Sequence, residues 1–137
     1  MSEEIILCVD PGREKCGLAI VSKSEGVLLK IVIDTNLLRK TAEQLIRDYG
    51  AQTIVLGDRT FSGYAKEAFV GLKSNDVDMP IIFVDEHRSS EEARERYWRD
   101  NPPKGLLRLL PVTMQTPPVP IDDYVALILA ERYFERQ

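Results

Sequence analysis

The chain has 137 residues and a formal net charge of −4, from 18 basic and 22 acidic side chains. This length predicts one domain, residues 1–137, with its own hydrophobic core, and 44% hydrophobic residues is ordinary for a globular protein. The acidic balance disfavours a protein that holds nucleic acid merely by being basic. No apolar run could span a membrane and the first four residues lack a secretory layout, which predicts a cytoplasmic protein without membrane partners.

Three short runs rich in β-branched residues open the chain and predict strands at 5–10, 17–22 and 27–33. The first run ends at Pro11-Gly12, a pair typical of turns. Because the links between the runs are short and polar, the three strands are expected to form antiparallel hairpins.

Helical and strand patterns alternate after residue 35. Apolar spacing predicts a helix from Asn36 that Gly50 ends, a strand at 53–57, a helix from Ser62 and a strand at 80–84. Ser89 with Glu92 resembles a capping box and predicts a helix at 89–98. Residues 100–120 hold six of the eight prolines, which predicts a long loop, and residues 121–135 predict a buried helix.

This order of elements predicts an α/β fold with a mixed five-stranded sheet. Three antiparallel strands come first, the later strands are parallel, and helices cover both faces. Ligands of such sheets bind beyond the carboxyl ends of the parallel strands. Candidate functional residues are therefore sought at that edge.

Acidic residues follow each strand that should end at this edge. Asp10 closes the first strand, Asp58 follows the fourth, Glu86 comes after the fifth, and Asp122 and Asp123 open the final helix. Clustered carboxylates repel one another unless a counter-charge binds them, and oxygen ligands without a His or Cys cluster favour Mg²⁺ or Mn²⁺. Two such ions would activate water for phosphodiester hydrolysis.

Acids at strand ends and helix N-termini also have an ordinary structural role, since they cap turns and complement the helix dipole. Asp10 departs from that role because an acid that closes an apolar strand is costly unless something binds it. For Asp123 a capping role is sufficient. Helical phase does not choose between Asp122 and Asp123, because both have apolar residues four and seven positions later.

Three segments resemble the RuvC and YqgF branch of the ribonuclease H-like nucleases. Residues 6–20 resemble that family's first hairpin, residues 84–93 its Asp-Glu-Arg motif with the helix that follows, and residues 121–134 its closing helix. The resemblance covers nearly the whole chain, in the family's motif order. It implies a ribonuclease H-like fold and metal-dependent cleavage of RNA or DNA, in precursor maturation of small-subunit ribosomal RNA or in resolution of Holliday junctions.

The resemblance also implies roles for individual residues. Asp10 matches the first-strand acid, Glu86 the acid of the Asp-Glu-Arg motif and Asp122 the acid of the last helix, all as catalytic metal ligands. Residues 57–60, Gly-Asp-Arg-Thr, replace the Gly-Leu-Pro of many YqgF-like members, whereas RuvC-like members have an acid there. Asp58 is therefore a fourth candidate ligand, and whether Asp58 or Glu86 is the main middle acid stays open.

Basic side chains near these acids are candidates for binding the phosphate chain. Residues 87–120 carry a net charge of +2, and His87 adjoins Glu86. The candidates for nucleic-acid contacts are Arg13, Lys15, Arg59, His87, Arg88, Lys104 and Arg108.

Two other kinds of function compete with a nuclease. The first is a non-catalytic RNA-binding or ribosome-assembly module that keeps the fold, which five candidate acids disfavour. The second is an actin-like ATPase, suggested by Asp10-Pro11-Gly12, but such ATPases need a second lobe for which this length leaves no room. The sequence leaves a homodimer open, as it does RNA against DNA and linear against branched substrate.

Overall fold

The computed structural model describes residues 4–59 and 61–136; residues 1–3, Thr60 and Gln137 lie outside the description. It contains seven strands and four α-helices within those ranges. In chain order they are β1 Ile5–Asp10, β2 Lys15–Ser22, β3 Gly26–Asp34, α1 Leu38–Tyr49, β4 Thr53–Gly57, α2 Ser62–Ala68, β5 Lys73–Ser74, β6 Val77–Asp78, β7 Ile81–Val84, α3 Ser89–Asp100 and α4 Asp122–Glu135.

Five of the strands form one mixed sheet in the order β3-β2-β1-β4-β7. The pairs β1/β2 and β2/β3 are antiparallel, whereas β1/β4 and β4/β7 are parallel. The predicted five-stranded mixed sheet is therefore confirmed. Because β1, β4 and β7 run the same way, the segments that follow them meet at one edge.

Helices cover both faces of this sheet, as the sequence predicts. Alternating side chains of β1 divide between the faces: Leu7 and Val9 pack with α1 and α2, whereas Ile6 and Cys8 pack with α3 and α4. All four of these side chains are inaccessible to solvent. The sheet thus has two apolar cores, which fix the strands that carry the candidate acids.

Helix α4 is buried along most of its length and lies across several strands of the sheet. Its residues from Tyr124 to Ala130 are buried without interruption, and it contacts β1, β2, β3 and β4. Its first turn rests on β2, because a Cβ at Gly17 would overlap the carbonyl group of Asp122. This close approach sets the position of Asp122 at the sheet edge.

The structure corrects two details of the sequence analysis. The capping box at Ser89 is wrong: Arg88 precedes the helix with φ of 60°, no side chain caps it, and the helix extends to Asp100. The hairpin β5–β6 was not predicted, because strands of two residues leave no periodic pattern.

The proline-rich stretch contains 3-10 turns at Gly105–Leu109 and Val112–Met114. Among the described residues, no helix is long and apolar enough to cross a membrane.

Candidate active site

Two of the predicted acids meet at the carboxyl edge of the sheet. Asp10 is the last residue of β1, and Glu86 lies two residues beyond the end of β7. Both line a cavity of about 210 Å³, together with Pro11, Arg59, Ser89 and Ser90. The structure therefore confirms that segments from separate strands bring these two carboxyl groups together.

Burial and the neighbouring acids strongly perturb the ionisation of Asp10. Burial raises the pKa of Asp10 to about 9, with help from a side-chain hydrogen bond to Glu86 and from the negative charges of Glu86 and Asp122. At neutral pH the Asp10 carboxyl group therefore holds a proton in the cation-free protein. Such a shift is typical of functional sites, where like charges are held together by the fold.

Glu86 is fixed by backbone contacts from the neighbouring strand. It is a buried charged residue, 8% exposed, and its Oε2 accepts a hydrogen bond of 2.8 Å from the Arg59 backbone N–H. Its side chain lies directly over Gly57, where an added Cβ would overlap the carboxyl group. Glu86 therefore has one defined orientation, towards Asp10.

Asp58 is near this pair, but its carboxylate binds the backbone of Glu86 and not the Asp10 carboxyl group. Its Oδ1 accepts a hydrogen bond of 3.2 Å from the Glu86 backbone N–H, and the residue is exposed. Together with the contact from Arg59 to Glu86, this forms a reciprocal clamp between the segments after β4 and β7. The geometry gives Asp58 an anchoring role and gives Glu86 the contact with Asp10.

The structure also distinguishes the two acids at the start of α4. Asp123 Oδ2 lies 3.4 Å from Lys30 Nζ, and its Oδ1 accepts a hydrogen bond from the Tyr124 N–H. Asp122 is half-buried and its charge acts on Asp10. Burial raises the pKa of Asp122, as does the charge of Asp123, whereas Lys15 lowers it. Of the two acids that open α4, Asp122 is thus the one whose charge interacts with Asp10.

The donor set fits a hard divalent cation. Asp10 and Glu86 offer carboxyl oxygens in a polar cavity, and a cation there would offset the repulsion that arises between them when Asp10 loses its proton. Across residues 4–59 and 61–136, no three His, Cys, Asp or Glu side chains are close enough together to form a ready-made metal cluster. A cation bound here would have Asp10 and Glu86 as ligands, and Asp122, whose charge acts on Asp10, is a further acid at this site.

Two of the predicted phosphate-binding residues lie beside this cavity. Arg59 lines it, and its Nη2 is 3.3 Å from Nδ1 of His87. Because the guanidinium has only donors, it donates to the His87 Nδ1, which then carries no proton. Lys15 pairs with Asp34 at 3.0 Å, and its charge interacts with that of Asp122.

The other predicted basic residues do not line the cavity of the acid pair. The Arg13 guanidinium sits 5.4 Å from the centre of the Phe61 ring, at a separate cavity lined also by Tyr64. Arg88, the residue before α3, donates a hydrogen bond to Glu91 in the first turn of that helix. Lys104 and Arg108 are exposed in the proline-rich stretch. The structure thus links Arg59 and His87 to the cavity and Lys15 to Asp122, whereas Arg13 and Arg88 engage other residues.

Sequence reasoning missed four contributors to this edge. Ser89 and Ser90 line the cavity at the first turn of α3, and Gly17 and Gly57 admit the close approaches of Asp122 and Glu86. The two glycines could have been found, because a glycine inside a strand pattern indicates a close approach by another group. The serines were interpreted only as a helix start.

The chain matches no known protein-family model and no curated protein sequence. Several solved structures superimpose on it over almost its full length. A structure of Thermus thermophilus RuvC with a Holliday junction substrate has a TM-score of 0.64 at 15% identity, covering 97% of this chain and 94% of that chain. The Fowlpox virus resolvase bound to Holliday junction DNA has a TM-score of 0.59 at 16% identity, covering 96% and 97%.

The chain has a RuvC-like fold. A second Thermus thermophilus RuvC structure agrees, with a TM-score of 0.59 at 14% identity over 96% of this chain and 94% of that chain. The ribonuclease H-like architecture expected from the sequence resemblance is thereby confirmed. The RuvC-like fold places β1, β4, β7 and α4 around the acid pair, and the YqgF branch remains a prediction.

Proposed function

We propose that this protein is a divalent-metal-dependent nuclease that cleaves branched nucleic acid, with four-way DNA junctions as its substrate. The observation that supports this most is the contact between the partly buried carboxyl group of Asp10 and the buried one of Glu86, at the carboxyl edge of the sheet. Two solved structures with the same fold are complexes of a protein with a Holliday junction. A fold alone does not carry a function, so the acid pair is the decisive feature.

Asp10, Glu86 and Asp122 would hold the cation, as Mg²⁺ or Mn²⁺ and as two ions when the site is filled. When bound, such ions supply Lewis-acid stabilisation of the phosphodiester and a water of lowered pKa. The proton that Asp10 holds at neutral pH must leave when a cation binds, so affinity for the cation rises with pH. Asp58 acts as a positioning residue, because its carboxylate holds the Glu86 backbone.

Residues around the pair would orient the substrate. The Arg59 backbone fixes the Glu86 carboxylate, while the Arg59 side chain, which contacts the exposed His87 ring, lies beside the cavity and would bind a phosphate. Lys15 adds a positive charge on the Asp122 side. Phosphate contacts therefore come from the rim, and the negative charges stay within the cavity.

The test is cleavage of labelled four-way junctions, linear duplex, single strands and a 5′-extended ribosomal RNA precursor, with Mg²⁺ or Mn²⁺. The wild type should cut the four-way junction, and Asp10→Asn should lower the rate to below about 1% of wild type, the scale of losing a catalytic group. Preference for the RNA precursor would instead support maturation of ribosomal RNA. If Asp10→Asn cuts as fast as the wild type, the site assignment is wrong.

Asp58→Asn is a matched control, because an asparagine Oδ1 can still accept the hydrogen bond from the Glu86 N–H. We expect this variant to retain most of the activity, whereas Glu86→Gln loses it. Equal losses in both variants would make Asp58 a ligand. Binding of every substrate without cleavage under either metal would favour the non-catalytic RNA or ribosome-assembly module.

A further inference from the structure

Arg132 of α4 contacts the segment that carries Glu86. Its Nη1 donates a hydrogen bond of 2.7 Å to the backbone carbonyl oxygen of Asp85, and its Nη2 lies 3.1 Å from Oε2 of Glu92 in α3. The arginine side chain is 21% exposed, so these contacts are largely sheltered from water. A planar guanidinium with two partners has a fixed orientation, which distinguishes Arg132 from a solvated surface charge.

The Asp85 carbonyl belongs to the same peptide unit as the Glu86 N–H. That N–H donates a hydrogen bond of 3.2 Å to Asp58 Oδ1. The described peptide bonds are trans, and in a trans peptide the carbonyl and the N–H point in opposite directions. The peptide unit before Glu86 is therefore bound on two sides, by an anion at its N–H and by a cation at its carbonyl.

This peptide unit depends on side-chain partners because it lies beyond the sheet. Strand β7 is the last strand of the sheet, and its register with β4 ends with Gly57 opposite Val84. The residues after Val84 are thus outside the described ladder. Arg132 makes a shorter hydrogen bond to the peptide unit than Asp58 does, and Asp58 is an exposed residue. Arg132 is therefore the better protected of the two partners.

Helix α4 also carries Asp122, so Arg132 couples two of the candidate acids. Arg132 lies ten residues after Asp122 in this helix, or about 15 Å along its axis. The residues from Tyr124 to Ala130 between them are buried without interruption, so this part of the helix cannot shift without disturbing the core. One element thus sets the position of Asp122 directly and that of Glu86 through the Asp85 carbonyl.

We propose that Arg132 is a positioning residue for the cation site: through the Asp85 carbonyl it holds the Glu86 carboxyl group against Asp10. This role rests on the proposed function, in which Glu86 is a metal ligand. Arg132 does not line the cavity, so it acts on the site through the Glu86 backbone and not by contact with cation or phosphodiester. Replacing groups that orient metal ligands typically lowers metal affinity or activity by roughly 10- to 100-fold.

Two ordinary roles compete with this one, and each has a matched control. The first is coverage of the open edge of β7, which Arg136 also provides, since its Nη1 donates a hydrogen bond of 3.1 Å to the Phe83 carbonyl oxygen. The second is the pairing of α3 with α4, which Arg96 also provides through its contact of 2.8 Å with Glu131. Arg136→Met and Arg96→Met remove these contacts and leave those of Arg132 intact.

The experiment measures amide hydrogen exchange by NMR and Mn²⁺ binding by calorimetry, both without nucleic acid. In Arg132→Met the Glu86 N–H, which lies in the bound peptide unit, should exchange about tenfold faster, the scale of a lost hydrogen bond to a charged group. The Arg59 N–H, which donates to the Glu86 carboxyl group, should also exchange faster. Mn²⁺ should bind about tenfold more weakly. Arg132→Lys should recover part of these losses, because its ammonium group can still donate to the Asp85 carbonyl.

The two control variants should behave like the wild type in both measurements. Unchanged exchange at Glu86 and Arg59 in Arg132→Met would overturn the proposal. So would equal changes in either control, since the effect would then belong to the strand edge or to the helix pair. A wild type that binds no Mn²⁺ would refute both this role and the proposed function. A wild type that binds Mn²⁺ but cuts no substrate would refute the nuclease alone, and the exchange rates and Mn²⁺ affinities would still decide the role of Arg132.

Discussion

Replacement of Asp10 by asparagine should make the cation-free protein more stable, and by more as the pH rises. The unfolded Asp10 titrates near its ordinary pKa of about 4, whereas burial and the neighbouring acids raise its pKa to about 9 in the folded protein. Between these values the folded state binds one more proton than the unfolded state. The stability that this proton confers is complete below pH 4 and is lost as pH rises towards 9.

The slope of this loss sets the magnitude. A difference of one bound proton changes the free energy of unfolding by at most about 1.4 kcal/mol per pH unit. Between pH 5 and pH 7 the free energy of unfolding of Asp10→Asn should therefore rise, relative to that of the wild type, by up to about 2.7 kcal/mol. For a chain of this length that is a relative shift of about 8 °C in Tm. Asparagine keeps the shape of the side chain and does not titrate.

The assay is urea unfolding of both proteins at pH 5, 6, 7 and 8 in the presence of a chelator. Asp78→Asn is the control, since Asp78 is an exposed residue of the β5–β6 hairpin, and its pH profile should follow that of the wild type. Parallel profiles for Asp10→Asn and the wild type would refute the account of a proton held between Asp10 and Glu86.

Three further substitutions test the packing that supports the site. Gly17→Ala should destabilise the protein by more than about 2 kcal/mol in urea unfolding, since its Cβ meets the Asp122 backbone. Gly57→Ala should displace Glu86, which lowers nuclease activity with a smaller loss in Tm. Leu129→Ala should cost about 3 kcal/mol in the same unfolding assay, because Leu129 is fully buried in α4. Wild-type behaviour in any of them would contradict the packing described.

The sheet could be predicted because its strands have local signals. The run from Ile5 to Asp10 and the run from Thr53 to Gly57 are each bounded by turn residues, and both strands have the predicted bounds. The start of α3 could not be derived in the same way. The capping-box pattern at Ser89 is a local signal. The start of the helix is instead determined by the left-handed backbone of Arg88 and by the turn that the Ser89 N–H closes onto the Glu86 carbonyl oxygen.

The choice among the acids depends on contacts that are distant in sequence. Helical phase does not choose between Asp122 and Asp123, and the contact that distinguishes them comes from Lys30, 93 residues from Asp123. Asp58 and Glu86 both follow a strand. Only the register of β4 against β7, which sets Gly57 opposite Val84, brings the Glu86 side chain back over Gly57.

Lys30 also bears on the solubility of the protein. It lies in β3, a nine-residue edge strand rich in aliphatic residues, and its ammonium group sits 4.1 Å from the Tyr124 ring centre, beside Asp123. An apolar edge strand of this length is a template for pairing with other chains, and a lysine within it opposes such pairing. The contact that engages Asp123 thus also protects an open edge of the sheet from aggregation.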